Sequence, residues 1–169
     1  INKLIPSGGS DEGYHEVIDG KGGYLTPGLI DAHVHITAGM PLDQFFYGFQ
    51  EFNQIFSGME MGEMLMRGVT TVRDPGGNCF GIKQAVDQGV IPGPRIFPSG
   101  ALISQTSGHG DYRSVNTNMS NRPRAVGGGP FNAEEYGFCV IADGVDQCIV
   151  AVRQNLFLGA TQIKICNTG

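Results

Sequence analysis

Strands alternating with helices, and polar side chains gathered at the ends of those strands, predict an α/β fold. Residues 28–169 read as the N-terminal half of a (β/α)8 TIM barrel, its first four β/α units. Residues 1–27 read as part of a small β-sandwich domain placed ahead of it. From residue 28 the order is β-α-β-α-β-loop-α-β, and such alternation implies parallel pairing with right-handed crossovers. GxGxxG and GxxxxGK[ST] are both absent, which sets dinucleotide and P-loop folds aside. In a barrel, reactive groups come from the C-terminal ends of strands, and a whole barrel takes about 250 residues. Four strands make half of one.

Residues 1–27 hold short β-like pieces at 3–5 and 16–18, separated by Ser7-Gly8-Gly9-Ser10 and Gly20-Lys21-Gly22-Gly23. His15, in this polar setting, reads as a surface residue. Pro27-Gly28 breaks the chain, and Leu29 and Ile30 start an apolar run that reads as a buried strand. Residues 37–44 form a loop. Met59, Glu63, Leu65 and Met66 fit an amphipathic helix within 45–67, ended by Gly68, with the methionines as core filler. The β-branched run 69–74 is a second strand, stopped by Pro75-Gly76-Gly77. Residues 80–88 form a helix capped by Gly89, and Pro92-Gly93-Pro94 leads into a third strand at 95–98. Residues 99–137 read as one long glycine- and serine-rich insert, against a usual connection of about 4–6 residues. Val145, Cys148, Ile149, Val152 and Leu156 recur at helical spacing over 143–158, with Asp143 as N-cap. Residues 162–166 are a fourth strand.

Composition bounds the function. Of 169 residues, 40% are hydrophobic and 16% charged, which marks a globular chain with a core of its own. The 27 glycines fall largely between the periodic segments, as tight connections require. Eleven basic against 16 acidic side chains leave a net charge of −5 with no basic cluster, which argues against a nucleic-acid or polybasic membrane contact. No apolar run approaches the ~20 residues of a membrane span, and residues 1–6 lack the organisation of a signal peptide. Cys79, Cys139, Cys148 and Cys166 show no CxxC spacing, so reduced thiols and a cytoplasmic location are expected.

Two residues apart on an extended backbone, His33 and His35 project from one face and can chelate one divalent metal. Lys164 lies between Ile163 and Ile165 near the end of the fourth strand. A desolvated lysine amine loses its proton more readily. The neutral amine can combine with carbon dioxide to give a carbamate, an anionic ligand able to bridge two metal ions. A hydroxide between such metals attacks carbonyls near neutral pH. His109, within Ser104-Gln105-Thr106-Ser107-Gly108-His109-Gly110-Asp111, has glycines on both sides that admit a close ligand, and reads as a substrate contact. Arg73 and Asp74, ending the second strand, read as a structural ion pair.

Pro27-Gly28-Leu29-Ile30-Asp31-Ala32-His33-Val34-His35, approached by Ile18-Asp19-Gly20-Lys21-Gly22, resembles the first-strand signature of the amidohydrolase superfamily. Gly68-Val69-Thr70-Thr71-Val72-Arg73-Asp74 resembles its second-strand segment. Ser99-Gly100-Ala101 and the His109 segment are similar to its prolidase-like branch of Xaa-Pro dipeptidases and ochratoxinase. Cys139-Val140-Ile141-Ala142-Asp143-Gly144 and residues 159–165 continue the likeness. The resemblance implies a binuclear zinc hydrolase in which His33 and His35 bind the more buried metal, carbamylated Lys164 bridges both, and His109 lies near the substrate. It implies cleavage of an amide C–N bond in a dipeptide or N-acyl amino acid by metal-bound hydroxide. Two further histidines and a proton-shuttling aspartate, which the superfamily takes from later strands, have no counterpart in residues 1–169. The expected partners are therefore a small amide or dipeptide, the C-terminal half of the barrel, and further copies in a homo-oligomer. Two alternatives stand beside this: a non-catalytic half-barrel that binds metal weakly or pairs with another chain, and a deaminase or cyclic-amide hydrolase of the same superfamily.

Overall fold

The computed structural model describes residues 13, 15–41, 44–45, 48–113 and 133–168. Strand β1 (Leu29–Asp31) leads through a 3-10 turn at Ile36–Ala38 to helix α1 (Gln50–Met66). Strand β2 (Val69–Asp74), helix α2 (Phe80–Asp87) and strand β3 (Arg95–Pro98) follow. Strands β4 (Leu102–Ser104) and β5 (Cys139–Ile141), helix α3 (Val145–Leu158) and strand β6 (Ile165–Cys166) complete the order.

Among the described residues every ladder is parallel. One sheet has the order β1-β2-β3 and the other β5-β4-β6. Only Ser99–Ala101 separates β3 from β4, and the chain turns there because Gly100 adopts φ +70°. A Cβ at Gly100 would lie 2.6 Å from the Asn155 side-chain oxygen, so two constraints select glycine. That oxygen accepts the Ala101 amide (3.1 Å), and the Asn155 amide donates to the Ala101 carbonyl (2.8 Å). A side chain from α3 thus replaces the ladder bonds that the kink removes. The β2–β3 ladder is carried into the second sheet by one bent strand.

Helices α1 and α2 pack on the first sheet over Ile36, Met61, Val72, Cys79, Ile82 and Ile96. Met61, Val72 and Ile96 are 2%, 0% and 1% exposed, and burying each such side chain contributes about 1.5–3 kcal/mol. Helix α3 seats Ala151 beside Ile103 and Ala142. Gly159, at φ +101°, ends it in the left-handed conformation that favours glycine.

Several expectations are corrected. The segment 99–137 is not a single insert: β4 lies within it, and β5 follows directly after it. Leu102-Ile103-Ser104 is too short to stand out from its glycine and serine surroundings. Residues 114–132 fall outside the described residues, as does the β-like piece at 3–5. Residues 16–18 join no strand among the described residues. Asp143 does not cap α3. Gly144 occupies that place, because the Asp143 carboxylate is committed to the Thr106 amide and hydroxyl at 2.7 and 2.6 Å. The apolar stripe on α3 is only partly covered: Ala151 and Asn155 are its buried residues, while Val145 and Leu156 face outward. The methionines divide likewise, Met61 being core and Met59 and Met66 exposed. His15 is exposed, as expected. All four cysteines are free thiols. Among the described residues no helix is long and apolar enough to cross a membrane.

Candidate metal centre

Strand β1 ends at Asp31, so both histidines lie just past the strand rather than within it. The Val34 amide still donates to the Arg73 carbonyl at 3.1 Å, which keeps the backbone extended between them. The imidazole centroids are 5.4 Å apart, edge to face. His35 Nδ1 lies 2.9 Å from the Gly76 carbonyl oxygen. A carbonyl can only accept, so Nδ1 carries a proton, and in the neutral ring the lone pair is then on Nε2. Gly76 can sit this close because it has no side chain; a Cβ there would meet Leu102 at 3.0 Å and the His35 ring at 3.4 Å. The His33 pKa is lowered, first by loss of solvation and then by the neighbouring charges of His35, Lys164 and Arg73. Lys164 is therefore near enough to oppose protonation of His33.

Arg73 and Asp74 do not pair with each other. Adjacent strand residues face opposite ways. The Arg73 Nε donates to the Ala32 carbonyl (2.7 Å) on the exposed face, and Asp74 turns inward, with no exposed surface. Its carboxylate accepts the amides of Ile36 (3.0 Å) and Gly76 (2.8 Å). Its carbonyl accepts the Ser99 amide and hydroxyl, both at 2.9 Å. Burial pushes the Asp74 pKa up to about 6, against the pull of its two amide donors. The same burial, with Asp74 beside it, pushes the Cys79 thiol up.

Lys164 is half-buried immediately before β6, and its carbonyl accepts the Ile103 amide at 3.0 Å. His109 is exposed on the loop after β4. Its amide donates to the Thr168 carbonyl (3.2 Å), so this loop is tied to the chain leaving β6. The loop is braced from within: Asp111 accepts two bonds from the Arg113 guanidinium (2.7 and 2.6 Å) and one each from the amides of Ser107 (2.8 Å) and Arg113 (3.3 Å). Sequence reasoning missed Phe138, just ahead of β5. Its ring packs 6.1 Å from His35, 5.1 Å from Phe45 and 5.4 Å from Tyr112, walling His35 on one side. No spacing rule reveals it, since it reaches the site only through the unrecognised β4–β5 ladder.

Do these residues suit a divalent metal? The donor chemistry says yes: His35 has its second nitrogen committed to a carbonyl, the arrangement that orients metal-ligating histidines. The lowered His33 pKa favours the neutral, ligating form. Among the described residues, however, no three His, Cys, Asp or Glu side chains converge, so His33 and His35 form an incomplete set.

Comparison with known proteins places this geometry in context. Residues 24–169 match the model of the Amidohydrolase family. The ochratoxinase of Aspergillus niger is 32% identical over 157 residues, covering 86% of this chain and 31% of that protein. A solved amidohydrolase is 36% identical with a TM-score of 0.68, covering 97% of this chain and 38% of the other. A prolidase solved with N-methylphosphonate-L-proline is 38% identical with a TM-score of 0.60, covering 82% and 33%. The chain thus spans about a third of the length of the curated relatives it matches. On the strength of the match over residues 24–169, the chain belongs to the amidohydrolase family.

Proposed function

We propose that this chain is the first half of the catalytic (β/α)8 barrel of a longer metal-dependent hydrolase that cleaves the amide C–N bond of a dipeptide or an N-acyl amino acid. The observation that carries it is the His33–His35 pair at the end of β1, with His35 Nδ1 on the Gly76 carbonyl and Lys164 within electrostatic reach. His33 and His35 would hold one divalent ion, zinc by the chemistry of imidazole donors. Lys164, once its neutral amine has taken up carbon dioxide and released a proton, would offer two carbamate oxygens to a pair of ions. Bound there, divalent metals supply Lewis acidity toward a carbonyl and a water acidic enough to react near neutral pH. The chain's own residues orient this centre and exclude water from one side of it through Phe138, Phe45 and Tyr112. His109, exposed on its braced loop, would meet the substrate.

The coverage of about a third of each relative supports a longer protein. So do Leu29 and Ile30, apolar residues of β1 left 60% and 72% exposed. A prolidase relative solved with a proline phosphonate supports the dipeptide class. That exposed face equally suits a half-barrel that only associates with another chain, and one experiment separates the two. Zinc content is measured by elemental analysis on the purified full-length protein and its His33→Ala and Lys164→Ala variants, with Xaa-Pro dipeptides and N-acyl amino acids as substrates. About two zinc ions per chain, lost with hydrolysis in both variants, supports the hydrolase. A metal-free wild-type protein without activity overturns it in favour of the associating half-barrel. Release of ammonia in place of an amino acid would identify a deaminase.

A further inference from the structure

We infer that Asp74 is the positioning residue of the histidine pair, a buried carboxylate that holds the ends of the strands in the register the site requires. The inference deepens the metal-centre reading and rests on it. The carboxylate reaches His35 by two routes. One oxygen accepts the amide of Ile36, the residue that follows His35 (3.0 Å). The other accepts the amide of Gly76 (2.8 Å), whose carbonyl receives the His35 Nδ1 proton at 2.9 Å. Asp74 therefore sets both the backbone that carries the imidazole and the acceptor that fixes its tautomer.

The same residue joins the neighbouring strands. Its carbonyl receives the Ser99 amide and hydroxyl from the end of β3, and the Gln162 side-chain amide approaches at 3.4 Å from the segment leading to β6. The ends of β1, β2 and β3 and the approach to β6 thus meet at one residue with no exposed surface. These two backbone amides and the Cys79 thiol serve the carboxylate. Backbone donors fix direction more tightly than a lysine or arginine would, because they have no rotamers to search. Asparagine has the same shape but turns one acceptor into a donor, which must then face either the Ile36 or the Gly76 amide.

The test is Asp74→Asn in uniformly 15N-labelled protein, with tautomers read from the imidazole nitrogen shifts and Co2+ binding read by titration. Wild-type His35 is expected to carry its proton on Nδ1. The variant is expected to lose that preference, to shift the Ile36 and Gly76 amide signals, and to bind Co2+ about 10–100-fold more weakly. Ile96→Val, a cavity beneath the same sheet, is the structural control and is expected to lower the melting temperature without changing the tautomer. An Asp74→Asn protein with His35 still protonated on Nδ1 and both amides unshifted overturns the inference. If that variant does not fold, the wild type decides: a proton on Nε2 of His35, or fast hydrogen exchange at Ile36 and Gly76, overturns it equally. The tautomer is read without metal. Failure of Co2+ binding in wild type, alongside the expected tautomer, would therefore sink the metal reading and leave the positioning role standing.

Discussion

Two aspartates brace two candidate histidines in opposite ways. Asp74 supports His35 from a site that water does not reach, using backbone amides in place of a forked ion pair. Asp111 braces the loop of His109 nearer the surface, using a forked ion pair to Arg113 and two amides. The contrast shows how solvent decides the means of support. In the interior an arginine would bring its own desolvation cost, whereas amides already fixed by the fold add little. At the rim a guanidinium stays hydrated, and its planar fork still matches a carboxylate. The two environments also move the carboxyls in opposite directions. Burial raises Asp74 to about 6, while Arg113, with the Ser107 amide, holds Asp111 below the usual carboxylate range.

The largest expected effect comes from deleting the buried member. Asp74→Ala leaves two buried amides unpaired, at about 1–3 kcal/mol each, so urea denaturation should show a loss of about 3–5 kcal/mol. Asp111→Ala leaves groups that water can reach and should cost about 1 kcal/mol or less. Equal losses would break the comparison.

Acid sharpens it further. Asp74 rises from 3.8 to about 6 on folding, so between those values the native state holds more proton than the unfolded chain. Its contribution to stability is full below about pH 4 and is lost as pH rises through about 6, a change on the order of 2–3 kcal/mol. Asp111, with its folded pKa depressed, contributes above its unfolded pKa and loses that contribution as pH falls toward its folded value. Stability measured from pH 4 to 7 in wild type and Asp74→Asn should therefore differ in slope, the difference shrinking as pH rises. Asp111→Asn should change the slope only at the acid end. A pH-independent difference between wild type and Asp74→Asn would rule out this titration.

The comparison also explains what the sequence could disclose. The strand at 69–74 announces itself through a β-branched run stopped by proline and glycine, and that at 95–98 follows the Pro92-Gly93-Pro94 lead-in. The His-x-His spacing places two imidazoles on one face wherever the backbone is extended. Asp74 was visible as a residue but not as a hub: its partners are backbone amides 38 and 2 residues away, and side-chain identity carries no record of them. The pairing with Arg73 was the plausible inference from charge alone, and strand alternation defeats it. Strands β4 and β5 have three residues each and show no periodicity; their ladder depends on the bend at Gly100. Phe138 was hidden with them.

Asn155 stands between the two extremes, a buried neutral side chain bridging backbone groups. Asn155→Ala orphans the amide and carbonyl of Ala101 at the kink and should cost about 1–3 kcal/mol. Asn155→Asp keeps the acceptor but loses the donor, and should fall between wild type and alanine at low pH. A negligible effect of Asn155→Ala would mean that the bent strand needs no substitute for its missing ladder.

The smallest effect tests the surface end of the contrast. Arg113→Lys preserves charge but replaces a planar fork with a single ammonium, so the two bonds to Asp111 cannot both be kept. Arg113 also reaches the Thr106 hydroxyl at 3.3 Å, which ties Asp111 to the Thr106–Asp143 bridge at the start of α3. The expected loss is about 0.5–1 kcal/mol, because a partly exposed pair gains little over its hydrated components. What distinguishes this loss from that of Asp74→Ala is its response to salt. At 1 M salt the screening length falls to about 3 Å, so the gap between Arg113→Ala and wild type should narrow appreciably. The gap for Asp74→Ala should hold, since amide hydrogen bonds in the interior are not screened. A salt-insensitive loss at Arg113 would mean that its packing, rather than its charge, braces the His109 loop, and the two aspartates would then differ in partner but not in kind.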